Sequence, residues 1–241
     1  MLKRHSLKYG FGPNNIPQFQ CPLCHAGVLR PSGETKPYEP PFSRAIQKES
    51  WSHWDDIQLR LCLILTCSNS SCGEQGTLRA EGGIEPNYDD GHGFEEWFTI
   101  SSISPAPYII SLPAGLPDAV KRELLDSFDV FWRQKGLSAN SLRNSIEALL
   151  THFGIPDEVD GKWVSLGNRL LTYAETEPKH AEFFQLLKPI INSGSHGEEI
   201  QTDMLLDVFE ALEIFLHNVF DDRAKRFEVL TQRLRDTSKG K

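Results

Sequence analysis

This sequence of 241 residues has no cysteine after position 72 and no apolar run of the roughly 20 residues that a membrane-spanning helix needs. Its first residues, MLKRHSLKYGFGPNN, are basic but precede no apolar segment of the kind found in a secretory signal. These absences predict a cytoplasmic protein with no membrane partner. Since 39% of the residues are hydrophobic, the chain can bury a substantial core.

Motifs of several enzyme classes are also missing. The sequence contains no GxxxxGK[ST] phosphate-binding loop, no HExxH zinc-protease helix and no GxSxG serine-hydrolase turn. Ser195 precedes His196, but neighbours in sequence do not form a catalytic triad without a placed acid and an oxyanion hole. A non-enzymatic role therefore fits the sequence better than any of these classes.

Charge is distributed unevenly along the chain. The net charge is −8, yet residues 49–220 alone carry −16, because residues 1–48 and 221–241 each contain seven Lys and Arg against two and four acidic side chains. An acidic body repels nucleic acid over most of its surface. Contact with RNA or DNA is therefore expected at the basic ends or in a local pocket.

The cysteines form a metal-binding pattern and not a disulfide framework. Cys21-Pro-Leu-Cys24 has the CPxC form of a zinc knuckle. Cys67 and Cys72, followed by Gly73, resemble a partner knuckle with two extra residues between the ligands. Because four thiolates satisfy a tetrahedral zinc ion, we predict one structural Zn²⁺ per chain, held by Cys21, Cys24, Cys67 and Cys72.

Cys62 is the remaining cysteine. The segment Asp56–Cys67 alternates in part between apolar and polar residues, as a strand leading into the second knuckle would. An offset of five places Cys62 and Cys67 on opposite faces of such a strand. We expect Cys62 to be a buried free thiol and not a ligand. Alternative ligands, should the longer cysteine pair fail, are His25, His53 and His92.

Prolines and aromatic residues follow the first knuckle. Four prolines in Pro31–Glu49 predict a long surface loop. The aromatic residues that come after this loop are Trp51, Trp54, Trp97 and Phe98. Exposed rings on a small ribbon can stack on nucleic-acid bases, but rings in a small β unit more often fill its core. We expect these four to be core residues.

The sequence predicts an α+β protein with a boundary near residue 104. Ile100–Pro117 has four prolines between short apolar pieces, which is typical of an extended linker laid along a surface. We therefore expect a β-rich zinc-ribbon domain over residues 1–104, a linker over 105–117 and an all-α helical bundle over 118–241.

Apolar residues at helical spacing predict the helices of the second domain. Gly136 and Gly154 are expected to end the first two. The helices are expected over Ala119–Gln134, from Ser138 or Asn140 to about Phe153, near Val164–Tyr173, over Lys179–Ile191, and from Gln201 to about Arg235 with a break near Asp221-Asp222.

The last predicted helix is rich in apolar residues. One bundle is not expected to cover them all, so a homodimer is predicted. The residues concerned are Met204, Leu205, Val208, Phe209, Leu212, Phe215 and Phe220.

The helical half also carries recognisable motifs. Arg143-x-x-x-Glu147 lies within a predicted helix, Asn192-x-x-x-His196 lies in a turn, and a proline-rich linker precedes both. Their order resembles, over roughly residues 105–220, the bacterial family known as domain of unknown function 4145. That resemblance implies a dimerising helical bundle of the HEPN superfamily, and many members of the family begin with a cysteine ribbon.

Ribonucleases of the HEPN superfamily typically use Arg-Asn-x-x-x-His, but Ile191 stands here at the arginine position, while Asn192 and His196 remain. RNA cleavage needs positive charge against the phosphate as well as a proton shuttle. Arg143 offers another cation, yet Glu147 four residues later is placed to neutralise it. We therefore expect a buried Arg143–Glu147 pair bonded to the Asn192/His196 turn, with a structural role.

The favoured interpretation is a non-catalytic interaction or regulatory protein whose zinc ribbon recognises a protein partner. The resemblance implies a setting in anti-phage defence, restriction or toxin–antitoxin systems. Two alternatives stay open. One is a metal-independent ribonuclease that uses Arg143, Asn192 and His196, and the other is a nucleic-acid sensor that binds through the zinc ribbon and the basic N-terminus.

Overall fold

The computed structural model describes residues 4–87, 93–178 and 200–221, together with residues 180, 183, 187, 227, 229–233 and 235. An antiparallel sheet comes first in the chain and helices follow, which confirms the predicted α+β class. No helix of this described part is long and apolar enough to cross a membrane.

Five strands form the N-terminal sheet, and each pairs with its neighbour in sequence. They are β1 (Phe19–Gln20), β2 (Val28–Pro31), β3 (Gln58–Cys67), β4 (Gln75–Pro86) and β5 (Phe94–Ser104). Along β3, leucines that are buried alternate with side chains that face away from the core. This alternation follows from the two-residue repeat of a strand, and it gives the sheet one apolar face and one outer face.

Two short helices lie before β3. Helix α1 spans Arg4–Lys8, and helix α2 spans Pro41–Ile46 within the segment predicted to be a loop. Proline is tolerated at the first helical position because the missing amide hydrogen would have no partner there. Buried Ser43 of α2 accepts a hydrogen bond of 3.0 Å from the Gln58 amide, and this bond ties α2 to the sheet.

The prediction that the four aromatic residues fill the core is correct for Phe98 and wrong for the tryptophans. Phe98 is fully buried, whereas Trp51 is 66% exposed, Trp97 is 37% exposed and Trp54 is half-buried. Trp97 and Phe98 are neighbours on β5, so their side chains point to opposite faces and one of them enters the core. Trp51 lies in the turn ahead of β3, outside the sheet.

The predicted linker is partly core. Ile100–Ser104 continues β5, and Ile109 and Ile110 are both buried, so this stretch does not simply lie along the surface. Tyr108 lies 5.9 Å from Phe128, measured between ring centroids. The apolar residues between the prolines therefore join the sheet to the helices.

The helices after the linker are α3 (Asp118–Phe131), α4 (Lys135–His152), α5 (Leu166–Thr176) and α6 (Thr202–Phe220). The break predicted near Asp221 is confirmed as the end of α6, whereas most of the helix predicted over Lys179–Ile191 lies outside the described residues. A hairpin of β6 (Glu158–Val159) and β7 (Lys162–Trp163) was not predicted. Its Asp160-Gly161 turn has positive φ at both residues, as a two-residue hairpin loop requires.

The predicted boundary between α3 and α4 is wrong. Gly136 lies inside α4 and does not end α3, and Ser138 is buried inside α4 and does not cap it. The Ser127 hydroxyl donates to the Ser138 carbonyl at 2.7 Å, and the Ser138 hydroxyl donates to the Ser127 carbonyl at 2.9 Å. These reciprocal bonds between helices place Ser138 in the interior.

One continuous core joins the sheet and the helices. Phe19 of β1 packs edge-on against Trp132 with ring centroids 5.4 Å apart, and Leu7 of α1 is buried where α1 meets α6. The apolar residues of α6 that motivated a homodimer are mostly covered within one chain. Buried there are Leu205, Val208, Phe209, Leu212 and Phe215.

Candidate metal centre and neighbouring polar sites

Four cysteine side chains meet at one end of the sheet. Cys21 directly follows β1, Cys24 lies in the turn before β2, Cys67 is the last residue of β3, and Cys72 lies in the turn before β4. Their Sγ atoms all lie within 4.8 Å of one another. The Cys21–Cys72 pair is 3.9 Å apart and the Cys24–Cys67 pair 3.7 Å. This cluster can hold a metal ion.

Backbone pairing places the four thiols. The Cys21 amide donates to the Gly27 carbonyl at 2.9 Å, and Leu29 of β2 is paired with Cys67 of β3, so the two knuckles lie side by side. A side chain at Gly27 has no room, because its Cβ would lie 2.5 Å from the Cys67 Sγ. Gly73 after Cys72 has a φ of 63°, which favours glycine.

Backbone amides point at two of the sulfurs. The Gly27 amide lies 3.4 Å from the Cys24 Sγ, and the Asn69 amide lies 3.4 Å from the Cys67 Sγ. Hydrogen bonds from the backbone, Gly27 first, lower the pKa of Cys24 to about 6, whereas burial raises the pKa of Cys67 to about 12. A bound cation favours the thiolate at every position, so metal binding releases protons.

The alternative ligands lie apart from the cluster or outside the described residues. The exposed ring of His25 packs edge-on against Tyr108 at 5.0 Å, and His53 Nδ1 contacts an Asp55 carboxylate oxygen at 3.0 Å. His92 lies outside the described residues. Cys62 is exposed, so the prediction of a buried thiol is wrong, because its side chain lies on the outer face of β3, which the described part of the chain leaves accessible at this point.

The Arg143–Glu147 pair forms on α4 as the spacing predicts. Arg143 Nε contacts Glu147 Oε1 at 3.1 Å, and the two side chains are 31% and 22% exposed, so the pair is half-buried and not fully buried. Asn192 and His196, the other two candidate residues, lie outside the described residues, as does Ile191. The predicted contact between the pair and that turn stays a prediction.

Sequence reasoning missed Arg169 of α5, which is 1% exposed. Its guanidinium donates to the Glu147 carbonyl at 3.1 Å, to the Thr151 hydroxyl at 2.7 Å and to the Ile155 carbonyl at 2.7 Å. Ile155 lies just beyond the last residue of α4, and a cation near the C-terminal end of a helix is favourable. Arg169 therefore fixes the end of α4 to α5.

A second polar cluster that sequence reasoning missed joins the predicted linker to α6. His217 Nε2 lies 2.8 Å from the Ser111 hydroxyl, and His217 Nδ1 lies 2.7 Å from an Asp221 carboxylate oxygen. Glu213 accepts hydrogen bonds from both the amide and the hydroxyl of Ser111. Glu213 and His217 lie on α6 and Asp221 directly follows it, at successive intervals of four residues that are visible in the sequence. Ser111 lies in a loop about a hundred residues away.

Ser111 contacts His217, and His217 contacts Asp221, which is the arrangement of serine, histidine and carboxylate in a hydrolytic triad. Glu213 argues against that chemistry, because its negative charge beside the Ser111 oxygen opposes the formation of an anionic transition state. Burial raises the pKa of Glu213 and hydrogen bonds from Ser111 lower it, and the net result is a lowered pKa. The cluster is therefore suited to hold the linker against α6.

Two cations of the basic N-terminus are paired with α6. Arg4 contacts Asp207, and it contacts a Glu210 carboxylate oxygen at 3.1 Å. Lys8 contacts Asp203. These contacts attach α1 to an acidic stretch of α6. They also neutralise two of the N-terminal cations that were expected from the sequence as candidates for binding nucleic acid.

The fold and the cysteine cluster define a two-part α+β protein with a candidate metal centre in its sheet. Residues 126–237 match the family described as Domain of unknown function (DUF4145), which agrees with the resemblance of the helical half. Residues 9–101 match the family described as Domain of unknown function (DUF8608). Comparisons with curated proteins and with solved structures gave no match.

Proposed function

We propose that this protein is a non-catalytic binding protein stabilised by one structural zinc ion, and that it is an accessory component of a bacterial anti-phage defence, restriction or toxin–antitoxin system. The observation that carries the proposal is the convergence of four cysteine Sγ atoms within 4.8 Å. Four thiolates fill the coordination sphere of zinc and leave no position for water or a substrate. Such an ion fastens the strand ends and activates no reactant.

Two of the six sulfur–sulfur distances agree closely with zinc. A tetrahedral ion with zinc–sulfur bonds of about 2.3 Å places its sulfurs about 3.8 Å apart. The Cys24–Cys67 and Cys21–Cys72 distances are 3.7 Å and 3.9 Å. An all-sulfur donor set selects zinc or iron–sulfur chemistry over hard cations such as magnesium and calcium.

The helical half supports a role without turnover. Ile191 stands where the ribonucleases that this half resembles place an arginine, and Arg143, the other candidate cation, is paired with Glu147. The defence setting is supported by the match of residues 126–237 to DUF4145, which resembles the HEPN superfamily. The proposed partners are a second copy of this chain or another protein of the same system.

Metal analysis tests the zinc centre. Protein purified without chelator should contain about one zinc per chain, because a closed four-thiolate site holds its ion tightly. Cys21→Ser should lower the zinc content, and Cys62→Ser, which changes the exposed fifth cysteine, is the matched control. Less than about half an equivalent of zinc in the unaltered protein would remove the structural role proposed for it.

Incubation with total RNA tests the absence of turnover. We expect no cleavage by the unaltered protein, and none by Arg143→Ala or His196→Ala. If the unaltered protein cleaves RNA and a folded His196→Ala variant does not, the protein is a ribonuclease and the proposed non-catalytic role is wrong.

Light scattering at micromolar concentration tests whether the protein forms a homodimer. If it is a monomer, the proposed partner is another protein of the same system and not a second copy of this chain.

A further inference from the structure

The outer face of the sheet carries a local group of positive charges, although residues 49–220 as a whole are acidic. On β3, the alternation that buries the leucines places Arg60 and Cys62 on the outer face. Arg79 of β4 is paired directly with Cys62 and is also exposed. Two arginines on neighbouring strands therefore lie on one surface.

The segment that leads into α2 adds aromatic residues to this face. Tyr38 and Arg60 exchange two backbone hydrogen bonds of 2.8 Å each. Ser43, next to Phe42, binds the Gln58 amide at 3.0 Å. Tyr38 and Phe42 are thus fixed beside β3 by backbone pairing and by a buried polar contact.

A cavity of about 510 Å³ opens between these elements. Its lining consists of Lys36, Tyr38, Arg60, Cys62 and Arg79. Three of these five described residues are cations and none is acidic. Glu81 of β4 is paired directly with Arg60 and contacts Arg79 at 3.0 Å. The Arg79 and Glu81 side chains are 44% and 54% exposed, so this ion pair is screened by water and exchanges readily for another anion.

Both aromatic rings are available for contact. Tyr38 is 52% exposed and Phe42 is 42% exposed. The Arg60 guanidinium carbon lies 5.9 Å from the centre of the Phe42 ring, within the range of a cation–π contact that orients the arginine. The surface therefore combines three positive charges with two accessible ring faces.

Charge complementarity requires an anionic ligand at this surface. An acidic peptide would use the cations but gain little from the rings, and a duplex hides the faces of its bases. Single-stranded nucleic acid offers both phosphates and open base faces, and proteins bind it through basic grooves with stacking aromatic rings. We propose that this outer face binds single-stranded nucleic acid, with Lys36, Arg60 and Arg79 on phosphates and Tyr38 stacked on a base.

This inference adds a nucleic-acid ligand to the protein partners proposed above, and it rests on the non-catalytic binding role proposed there. It also places the contact in a local pocket of the sheet and away from α1, whose Arg4 and Lys8 are paired with α6. Cys62 lies within the pocket, and since all five cysteines are described and the other four converge at the metal centre, its exposed thiol can report on occupancy.

Fluorescence anisotropy with labelled oligo(U) and oligo(dT) tests the proposal on zinc-loaded protein. Binding should weaken with salt along a log–log slope of about −2, as expected for three phosphates neutralised on a single strand. Arg79→Ala should weaken binding at least fivefold and reduce the slope by about 0.7. Arg122→Ala, which removes an exposed arginine on α3, is the matched control and should change neither quantity.

Stacking is tested separately at Tyr38. Tyr38→Ala should weaken binding about tenfold, whereas Tyr38→Phe, which keeps the ring, should bind like the unaltered protein. Bound oligonucleotide should also slow the alkylation of Cys62 by iodoacetamide. The oligo(U) and oligo(dT) arms show whether RNA or DNA is preferred.

Three outcomes would overturn the inference. The first is no binding of oligonucleotide at low salt, and the second is binding that Arg79→Ala and Arg122→Ala weaken equally. The third is that polyglutamate binds as tightly as the oligonucleotides and Tyr38→Ala has no effect, which would assign the surface to acidic peptides. Zinc content is measured on every sample. Retained zinc without binding contradicts this inference alone, whereas zinc missing from the unaltered protein contradicts the proposed function.

Discussion

The sheet and the helices of this protein are stabilised in different ways. Four thiols meet at one end of the sheet, and all five cysteines of the chain lie in its strands or in the segments that connect them. The helices have no cysteine and pack around aromatic rings, with Phe209 of α6 lying 5.6 Å from Phe128 and 6.1 Å from Phe131 between ring centroids. We expect the first region to depend on a metal ion and the second to depend on close packing.

The two regions are nevertheless joined. Phe19 and Trp132 contact each other across the boundary, and α1 rests on α6. A change in one region should therefore disturb the other mainly at this shared boundary. Four predictions test how far the regions are independent, and they are ordered from the largest expected effect to the smallest.

Loss of the metal centre should have the largest effect. Cys21→Ser should unfold the sheet and leave the interior of α3 and α4 folded, because binding free energies of structural zinc reach roughly 10–16 kcal/mol. Hydrogen exchange resolved along the chain measures both regions at once, with Cys62→Ser as the control. Simultaneous loss of protection in α4 would show that the regions unfold as one unit.

A cavity in the helical core should destabilise the helices and leave the metal centre intact, the opposite of the effect expected for Cys21→Ser. Phe209→Ala should lower the free energy of unfolding by about 3–5 kcal/mol, because a fully buried ring is lost. Urea denaturation measures the change, and zinc content should stay at one equivalent. Met204→Ala, at a partly exposed position of the same helix, is the control and should cost much less. Zinc loss in Phe209→Ala would contradict the separation.

Replacing glycine by alanine should be harmful near the metal centre and stabilising in the helices. Gly27→Ala places a Cβ 2.5 Å from the Cys67 Sγ and should weaken zinc affinity about 10–100-fold, the effect typical of disturbing the surroundings of a metal ligand. Gly136→Ala fills open space within α4 and should stabilise the protein by roughly 0.5–1 kcal/mol. Competition with a zinc chelator and thermal unfolding measure the two effects, and unchanged zinc affinity in Gly27→Ala would contradict the first.

The smallest expected effect concerns Glu213, whose pKa is lowered in the folded protein. A lowered pKa contributes stability above the unfolded value of about 4.3, and this stability is lost as the pH falls through the folded value. Glu213→Gln should therefore reduce stability near neutral pH and flatten its decline below about pH 4.3. Thermal unfolding between pH 3 and 7 measures this, with Glu175→Gln on α5 as the exposed control. An unchanged pH profile would contradict the role given to Ser111.

Local patterns in the sequence predicted the parts of the structure that depend on local geometry. The two knuckles predicted the cysteine cluster because ligand spacing within each turn is short, and the spacing of Arg143 and Glu147 predicted their contact. The burial and exposure of other side chains depended on contacts with separate elements of the fold. Bonds to Ser127 of the neighbouring helix hold Ser138 in the interior, and the exposure of Cys62 depends on which described segments pack against β3, which no local pattern reveals.

The contact between α1 and α6 has a consequence for synthesis. Arg4 and its partner Asp207 are 203 positions apart, so at the usual rate of about 5–20 residues per second roughly 10–40 s pass between the appearance of one and of the other. The strands and all four clustered cysteines are made well within that interval. Helix α1, although translated before them, can consequently pack against α6 only after the rest of the sheet and most of the helices have been made.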